Sequence, residues 1–207
     1  MIENIKPMDI EKRSFEIITE ILGDTKLDPE NELVIKRVIH TTADFEYVQN
    51  LVFSDHAVQK GIDYLKHGCD IVTDTQMAKS GINKTILGKL GGQVHCFMSD
   101  ADVAAEAKER GITRAIVSME RAAKLEKPCI FAIGNAPTAL ISLHEQITAG
   151  MLNPALIIGV PVGFVNVVES KELIIESGVP HIVARGRKGG SNVAAAICNA
   201  MLYQILR

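Results

Sequence analysis

Short runs of mostly apolar residues alternate with longer amphipathic segments, and this alternation restricts the possible folds more than any other feature. The apolar runs lie at residues 70–74, 94–98, 129–133, 155–160 and 181–184, and each has the length of one β-strand. Short strands that are apolar on both sides are typical of parallel sheets covered by helices on both faces. With right-handed crossovers, the pattern predicts an α/β fold: a Rossmann-like doubly wound, mainly parallel sheet flanked by helices.

Helical patterns occupy the intervals between these runs. After the first two strands they are predicted at residues 101–109, 113–125, 138–148, 167–176 and 192–206. Before the strands, helices are predicted at residues 10–22, from Asp28-Pro29-Glu30 to Thr41, and at residues 56–67, with a helical turn at 77–82 and a loop at 88–92. We therefore expect one domain, spanning residues 1–207, with helical additions at its N-terminal side.

Composition excludes several classes of function. The formal net charge is −3, and 3 Tyr, 6 Phe and no Trp provide few stacking side chains, so we expect no nucleic-acid binding.

The uncharged stretch at residues 147–168 is broken by glycine, proline and asparagine, which predicts a buried strand and no membrane segment. No signal peptide is predicted. The four scattered cysteines show no zinc or disulfide spacing, so we expect a cytoplasmic protein without a bound metal.

In doubly wound sheets, ligands bind beyond the carboxyl ends of the strands. After the last predicted strand comes Arg185-Gly186-Arg187-Lys188-Gly189-Gly190-Ser191. Free backbone N–H groups at a helix start, together with three basic side chains, would bind a carboxylate or a phosphate. An ordinary strand–turn–helix junction with solvated basic side chains would have the same composition.

Two other segments after strands are candidates for ligand binding. Gly134-Asn135-Ala136-Pro137-Thr138 places proline in a first helical turn, and Asn135 can donate to a ligand oxygen or simply stabilise a turn. Gly159-x-Pro161-x-Gly163 predicts either a rim that lets a bulky ligand approach the backbone or a tight turn. No dinucleotide or P-loop motif is present, which makes an NAD-dependent oxidoreductase an unfavourable alternative.

His40 is the histidine with the most suggestive surroundings. It lies near the end of a helical pattern, and histidine side chains exchange protons near neutral pH. Asp44, four residues on, would orient it if the helix continued. A structural histidine is the simpler interpretation of this pattern, and a metal pair is conceivable although nothing else has ligand spacing.

Five motifs together resemble the precorrin-8X methylmutase family of corrin biosynthesis. They are residues 38–45 (VIHTTADF), 133–140 (IGNAPTAL), 158–165 (IGVPVGFV), 169–171 (ESK) and 185–191 (RGRKGGS). The resemblance covers the chain from about Pro7 to Ala200. It implies an isomerase that moves a methyl group from C-11 to C-12 of a corrin precursor, without a cofactor, in a homodimer whose pocket lies near the subunit interface.

The resemblance also implies roles for individual residues. The catalytic histidine of the family corresponds to His40, its active-site arginine to Arg114 and an N-terminal pocket serine to Ser14. The run after His40 is similar to the cobalt-dependent branch, so cobalt-precorrin-8 is the favoured substrate, with cobalt carried in by the substrate itself. The substrate-binding set then comprises Ser14, Arg114, Asn135, Ala136, Pro137, Thr138, Gly163, Arg185, Arg187, Lys188, Gly189, Gly190 and Ser191. A tetrapyrrole carrier without catalytic activity is the alternative.

Overall fold

A computed structural model describes residues 5–206, with the side chain of Met8 left out. The prediction that the chain has no signal peptide rests partly on residues 1–4, which lie outside this range. The helices are α1 (Ile10–Leu22), α2 (Glu32–Thr42), α3 (Tyr47–Asn50), α4 (Ala57–Lys66), α5 (Gln76–Gly81), α6 (Lys84–Lys89), α7 (Ala101–Arg110), α8 (Arg114–Ala122), α9 (Pro137–Thr148), α10 (Val167–Glu176) and α11 (Ser191–Ile205). A 3₁₀ turn, Pro7–Asp9, precedes α1.

The strands form one sheet in the order β1-β6-β5-β4-β2-β3. They are β1 (Leu51–Phe53), β2 (Asp70–Thr73), β3 (Val94–His95), β4 (Cys129–Ile133), β5 (Leu156–Gly159) and β6 (His181–Ala184). All pairs are parallel except β1 with β6, which run antiparallel with Leu51 opposite Ala184. The predicted Rossmann-like, mainly parallel α/β sheet is therefore confirmed.

Alternate residues of the central strands enter two different cores, which explains why these strands are apolar on both sides. Ile130 and Ala132 of β4 pack with α2, α4 and α11 on one face of the sheet. Phe131 and Ile133 of the same strand pack with α8, α9 and α10 on the other face. None of the helices within residues 5–206 is long and apolar enough to cross a membrane.

Several predicted boundaries need correction. Strand β3 covers only Val94 and His95 of the predicted 94–98, because a turn in which Asp100 donates to the Phe97 carbonyl follows it. The predicted loop at 88–92 is partly α6. Helix α2 begins at Glu32, because Asp28 accepts hydrogen bonds from Asn31 and Glu30 in a preceding turn. The short elements α3 and β1 were not predicted.

The order of the strands places a crevice at the carboxyl edge of the sheet. Strand β3 lies outside β2, and the chain then crosses over to place β4 on the opposite side of β2. At such a reversal the loops after the two strands diverge, which is the usual ligand position in this class of sheet. Here the loops after β2 and β4 begin at Asp74 and Gly134.

Candidate functional site

His40 lies in the last turn of α2 with its side chain exposed. Its ring stacks on Phe15 of α1, with centroids 5.7 Å apart and an angle of 27° between the planes. Ser14, the neighbour of Phe15, is half-buried, and its hydroxyl donates to the Ile10 carbonyl at 2.8 Å. Helix α1 therefore contacts His40 through Phe15, next to Ser14 in the chain, and leaves the imidazole accessible.

Asp44 contacts the basic loop and does not extend the helix of His40. Helix α2 ends at Thr42, and Ala43 adopts a left-handed conformation with φ of 54°. The condition for Asp44 to orient His40, a helix that continues, is therefore not met. Instead Asp44 accepts a hydrogen bond from Lys188 (2.5 Å), which lowers the pKa of Asp44. Lys188 also pairs with Glu46 at 2.9 Å.

The basic side chains of residues 185–191 are partly committed to other groups of the protein. Arg185 makes a two-point ion pair with Glu172, at 2.8 and 3.0 Å. The Arg187 guanidinium donates to the Phe164 carbonyl at 2.9 Å and lies 5.4 Å from the centre of the Phe164 ring. Arg187 thus meets no carboxylate of residues 5–206 and keeps its charge available.

The glycines of the site allow neighbouring loops to touch. Gly190 donates to the Val160 carbonyl at 2.8 Å, and Gly163 donates to the Arg187 carbonyl at 3.2 Å. A Cβ on Gly189 would lie 2.1 Å from the Val160 oxygen, so only glycine fits there. The predicted rim around Gly163 and the loop 185–191 therefore form one continuous surface.

The loop after β4 joins the same surface. A Cβ on Gly134 would lie 2.7 Å from the Ser191 Cα atom. The Ser191 hydroxyl is hydrogen-bonded to the Thr75 hydroxyl at 2.8 Å. Ser191, which we predicted to bind substrate, therefore also links α11 to the segment after β2.

Asp74 occupies the anion position at the start of α9. This buried carboxylate accepts hydrogen bonds from the backbone N–H groups of Gly134 (2.8 Å), Asn135 (2.7 Å) and Ala136 (2.6 Å). Burial raises the pKa of Asp74, while the three donors oppose that shift. Because the N–H groups before Pro137 already have an internal acceptor, the groups left for a ligand at this loop are the exposed side chain of Asn135 and the half-buried Thr138.

Arg114 reaches this edge from the other face of the sheet. It begins α8, and the Thr113 hydroxyl before it donates to the Thr138 hydroxyl at 3.2 Å. The side chain of Arg114 is exposed and forms no ion pair within residues 5–206. Within one chain, Arg114 and His40 stand on helices that cover opposite faces of the sheet.

A cavity of about 590 Å³ lies between α1, α2 and α11, and one of its lining residues, Phe15, is the residue on which His40 stacks. Arg37 lines it, with its guanidinium 4.9 Å from the Phe15 ring centre and 5.2 Å from that of Tyr203. Glu11 accepts a hydrogen bond from Arg37 at 2.8 Å. Phe15 therefore forms part of the cavity wall and also supports the His40 ring.

Sequence reasoning did not assign roles to Phe15, Asp74 or Lys171. Lys171 is fully buried on α10, and its Nζ donates to the carbonyls of Gly186 (2.7 Å) and Lys188 (2.9 Å). The available signal was its place in the ESK motif at residues 169–171, and its two acceptors agree with the rule that lysine is almost never buried unpaired. The partner of Asp74 lies 60 residues away in the sequence, and no local pattern indicates such a contact.

The cysteines do not have the properties of nucleophiles. All four are buried free thiols, and burial raises the pKa of Cys69 and of Cys129 to about 12. A thiolate is the reactive form, so these groups behave as small apolar side chains. Within residues 5–206, no three His, Cys, Asp or Glu side chains gather as metal ligands.

Comparisons with known proteins identify the family of the chain. A family model described as precorrin-8X methylmutase matches residues 9–204. The cobalt-precorrin-8 methylmutase of Salmonella typhimurium is 48% identical, over 97% of this chain and 96% of its own, and that of Priestia megaterium is 46% identical, over 95% and 88%. A solved structure of precorrin-8X methylmutase from Thermus thermophilus superimposes with a TM-score of 0.86 at 38% identity, covering 94% of this chain and 96% of its own.

Proposed function

The chain belongs to the precorrin-8X methylmutase family, whose members are methyl-migrating isomerases of cobalamin biosynthesis, and we propose that it acts on cobalt-precorrin-8 with His40 as the proton or hydrogen-bond donor. Both bacterial relatives described above bear the name of the cobalt substrate. The observation that carries the role of His40 is its place: an exposed imidazole, supported by Phe15, on the helix whose end is tied to the basic loop.

The reaction is an isomerisation, so its atoms and electrons balance within the substrate. The bond between the methyl carbon and C-11 breaks, a bond to C-12 forms, and no electrons pass to another molecule. We therefore propose that the protein uses no cofactor of its own. The contribution that remains is stabilisation of the charge that develops on the conjugated ring, and a positioned general acid typically provides about 10²–10⁴-fold.

The substrate's acetate and propionate carboxylates need cationic partners. Arg114 and Arg187 support this role best, because neither is paired with a carboxylate of residues 5–206. Lys188 and Arg185 are each paired with carboxylates of the chain and shape the loop that presents Gly189, Gly190 and Ser191. The exposed side chains of Asn135 and of the residues around Gly163 complete the rim of this proposed site.

We also propose a homodimer in the cytoplasm. Ile10, Ile17 and Ile21 leave large parts of their side chains exposed along one stripe of α1, and Ser14 lies within the same stripe. An apolar stripe of this kind is typical of a surface that another protein covers. Four free buried thiols are typical of a reducing compartment.

The decisive experiment is to mix purified protein with cobalt-precorrin-8 and record visible spectra and product mass. Wild type is expected to produce an isomer of unchanged mass with a changed spectrum. His40→Ala is expected to lower the rate by about 10²–10⁴-fold. His67→Gln, at another exposed histidine, is the control and is expected to retain the wild-type rate.

The same assay separates the enzyme from a carrier. Binding of cobalt-precorrin-8 by wild type without isomerised product would support a tetrapyrrole carrier and contradict the proposed activity. Near-normal turnover by His40→Ala would contradict the role of His40 alone.

A further inference from the structure

Lys171 is a buried cation that the proposed reaction does not use directly. Its side chain is inaccessible to solvent, and it forms no ion pair with a carboxylate of residues 5–206. Removing an ammonium group from water costs several kcal/mol unless acceptors replace the water. An apolar side chain would fill this position at lower cost, so the contacts of the ammonium group indicate what the charge accomplishes.

Those contacts are made with the turn that contains Arg187. The Nζ atom donates to the carbonyls of Gly186 (2.7 Å) and Lys188 (2.9 Å), which flank Arg187 on either side. The carbonyl of Arg187 itself accepts from the Gly163 N–H at 3.2 Å. Three consecutive carbonyls are therefore fixed, two by one buried cation, and this defines the course of the loop.

The turn at residues 186–188 also holds the end of the helix that carries His40. Lys188 extends from it to Asp44 (2.5 Å) and to Glu46 (2.9 Å). Asp44 lies two residues beyond the end of α2, and His40 lies in the last turn of that helix. A continuous set of contacts thus leads from Lys171 through residues 186–188 and the Lys188 side chain to Asp44, which follows the end of the helix that carries His40.

We propose that Lys171 is a positioning residue for the methyl migration: its buried ammonium fixes the turn at residues 186–188, so that Lys188 holds Asp44 and thereby the C-terminal end of α2, the helix whose last turn carries His40. This inference rests on the proposed role of His40. Lys171 touches neither the substrate nor the reacting atoms. Its effect is transmitted by the loop, and a displacement of about 1 Å in a catalytic group can cost on the order of 100-fold in rate.

The test compares Lys171→Met, Lys188→Met and the double variant with wild type. Methionine retains most of the length of lysine and removes the charge. We expect Lys171→Met to lower kcat at least 10-fold with a smaller change in KM. Lys188→Met is expected to give a similar loss of kcat, and the double variant is expected to lose no more than the larger single loss, because both act through one set of contacts. Lys84→Met, at an exposed lysine of α6, is the control.

Two measurements do not depend on turnover. In Lys171→Met the imidazole NMR signals of His40 are expected to shift or broaden while those of His144 stay in place, and the amide of Gly190 is expected to exchange with deuterium faster. A folded Lys171→Met with wild-type kcat and unchanged His40 signals would overturn the proposal and leave Lys171 a purely structural residue. Multiplicative losses in the double variant would also overturn it.

If Lys171→Met does not fold, variants at the contact between Lys188 and Asp44 still test the proposal. Asp44→Asn leaves Lys171 and its carbonyl partners intact, so it is expected to lower kcat and to shift the His40 signals. Wild-type kcat in both Asp44→Asn and Lys188→Met would overturn the proposal. Absence of turnover in wild type contradicts the proposed function instead, and the NMR and exchange measurements still test the positioning.

Discussion

Lys171 shows how a single residue can make the stability of this protein depend on pH. Burial lowers the pKa of Lys171 from 10.5 to about 8, although its two carbonyl acceptors favour the charged form. In the unfolded chain the side chain regains its ordinary pKa. Between pH 8 and pH 10.5 the unfolded state therefore binds more protons than the folded state, and the free energy of unfolding rises with pH through this group.

The corresponding prediction compares wild type with Lys171→Met. From pH 8 to pH 10.5, the free energy of unfolding of wild type is expected to rise relative to the variant by up to about 3 kcal/mol. Urea titrations at several pH values measure this difference. The charged residues nearby, Arg185 and Glu172, Lys188 and Asp44, are retained in both proteins. A difference that stays constant across this range would show that Lys171 titrates at its ordinary pKa.

At the scale of elements, helix α9 depends on a carboxylate that is distant in the sequence. The N–H groups of the three residues before it, Gly134 to Ala136, converge on Asp74, and a negative charge at a helix N-terminus is favourable. The N-cap residue of α9 is Ala136, whose methyl side chain has no hydrogen-bond acceptor. The acceptor is therefore supplied by another segment of the chain. The contact also fastens the loop after β4 to the end of β2 at the crevice.

We expect Asp74→Asn to be strongly destabilising. The amide presents a donor to backbone donors and removes the negative charge, so the free energy of unfolding should fall by about 3 kcal/mol. Asp102→Asn is the matched control, since Asp102 is an exposed carboxylate in the first turn of α7, where little change is expected. Chemical denaturation of both variants provides the measurement. Equal stability of Asp74→Asn and wild type would show that the three N–H groups find other acceptors.

The elements differ in how well the sequence predicts them, and their length and burial explain why. Strands β4 and β6 and helix α10 lie at the predicted residues, because each is a complete apolar or amphipathic pattern with clear ends. Strand β1 has three residues, which is too few for any periodicity. It exists because it pairs with β6, and that pairing joins positions 129 to 133 residues apart.

The sequence indicated which residues belong to the candidate site. It did not indicate which of their side chains are already paired with other groups of the protein. The sequence indicated His40 and the loops after the strands, since the fold class places those loops at one edge. Which side chains are already paired depends on contacts across the fold, such as Lys188 with Asp44, 144 residues apart. The internal pairs of Arg185 and Asp74 were invisible for the same reason.

At the scale of the whole molecule, the site is open on the side of α1. His40 is exposed, the cavity beside it is bounded by α1, α2 and α11, and Arg114 stands on the opposite face of the sheet. The exposed isoleucines belong to α1, the helix that also forms one wall of the cavity. A second copy of the chain that covered this stripe would bury those isoleucines, which is consistent with the homodimer proposed above.

The dimer can be tested at Ile21, whose side chain is 60% exposed on α1. Ile21→Lys places a charge in the proposed interface without disturbing the core, so it is expected to shift the protein from dimer to monomer in sedimentation or light-scattering measurements at micromolar concentration. Met151→Lys, at a residue that is 68% exposed in the loop before β5, is the control and should leave the mass unchanged. If the interface also shapes the pocket, Ile21→Lys lowers turnover, and the loss is recovered as protein concentration rises. A dimer of unchanged strength in Ile21→Lys would contradict an interface on α1.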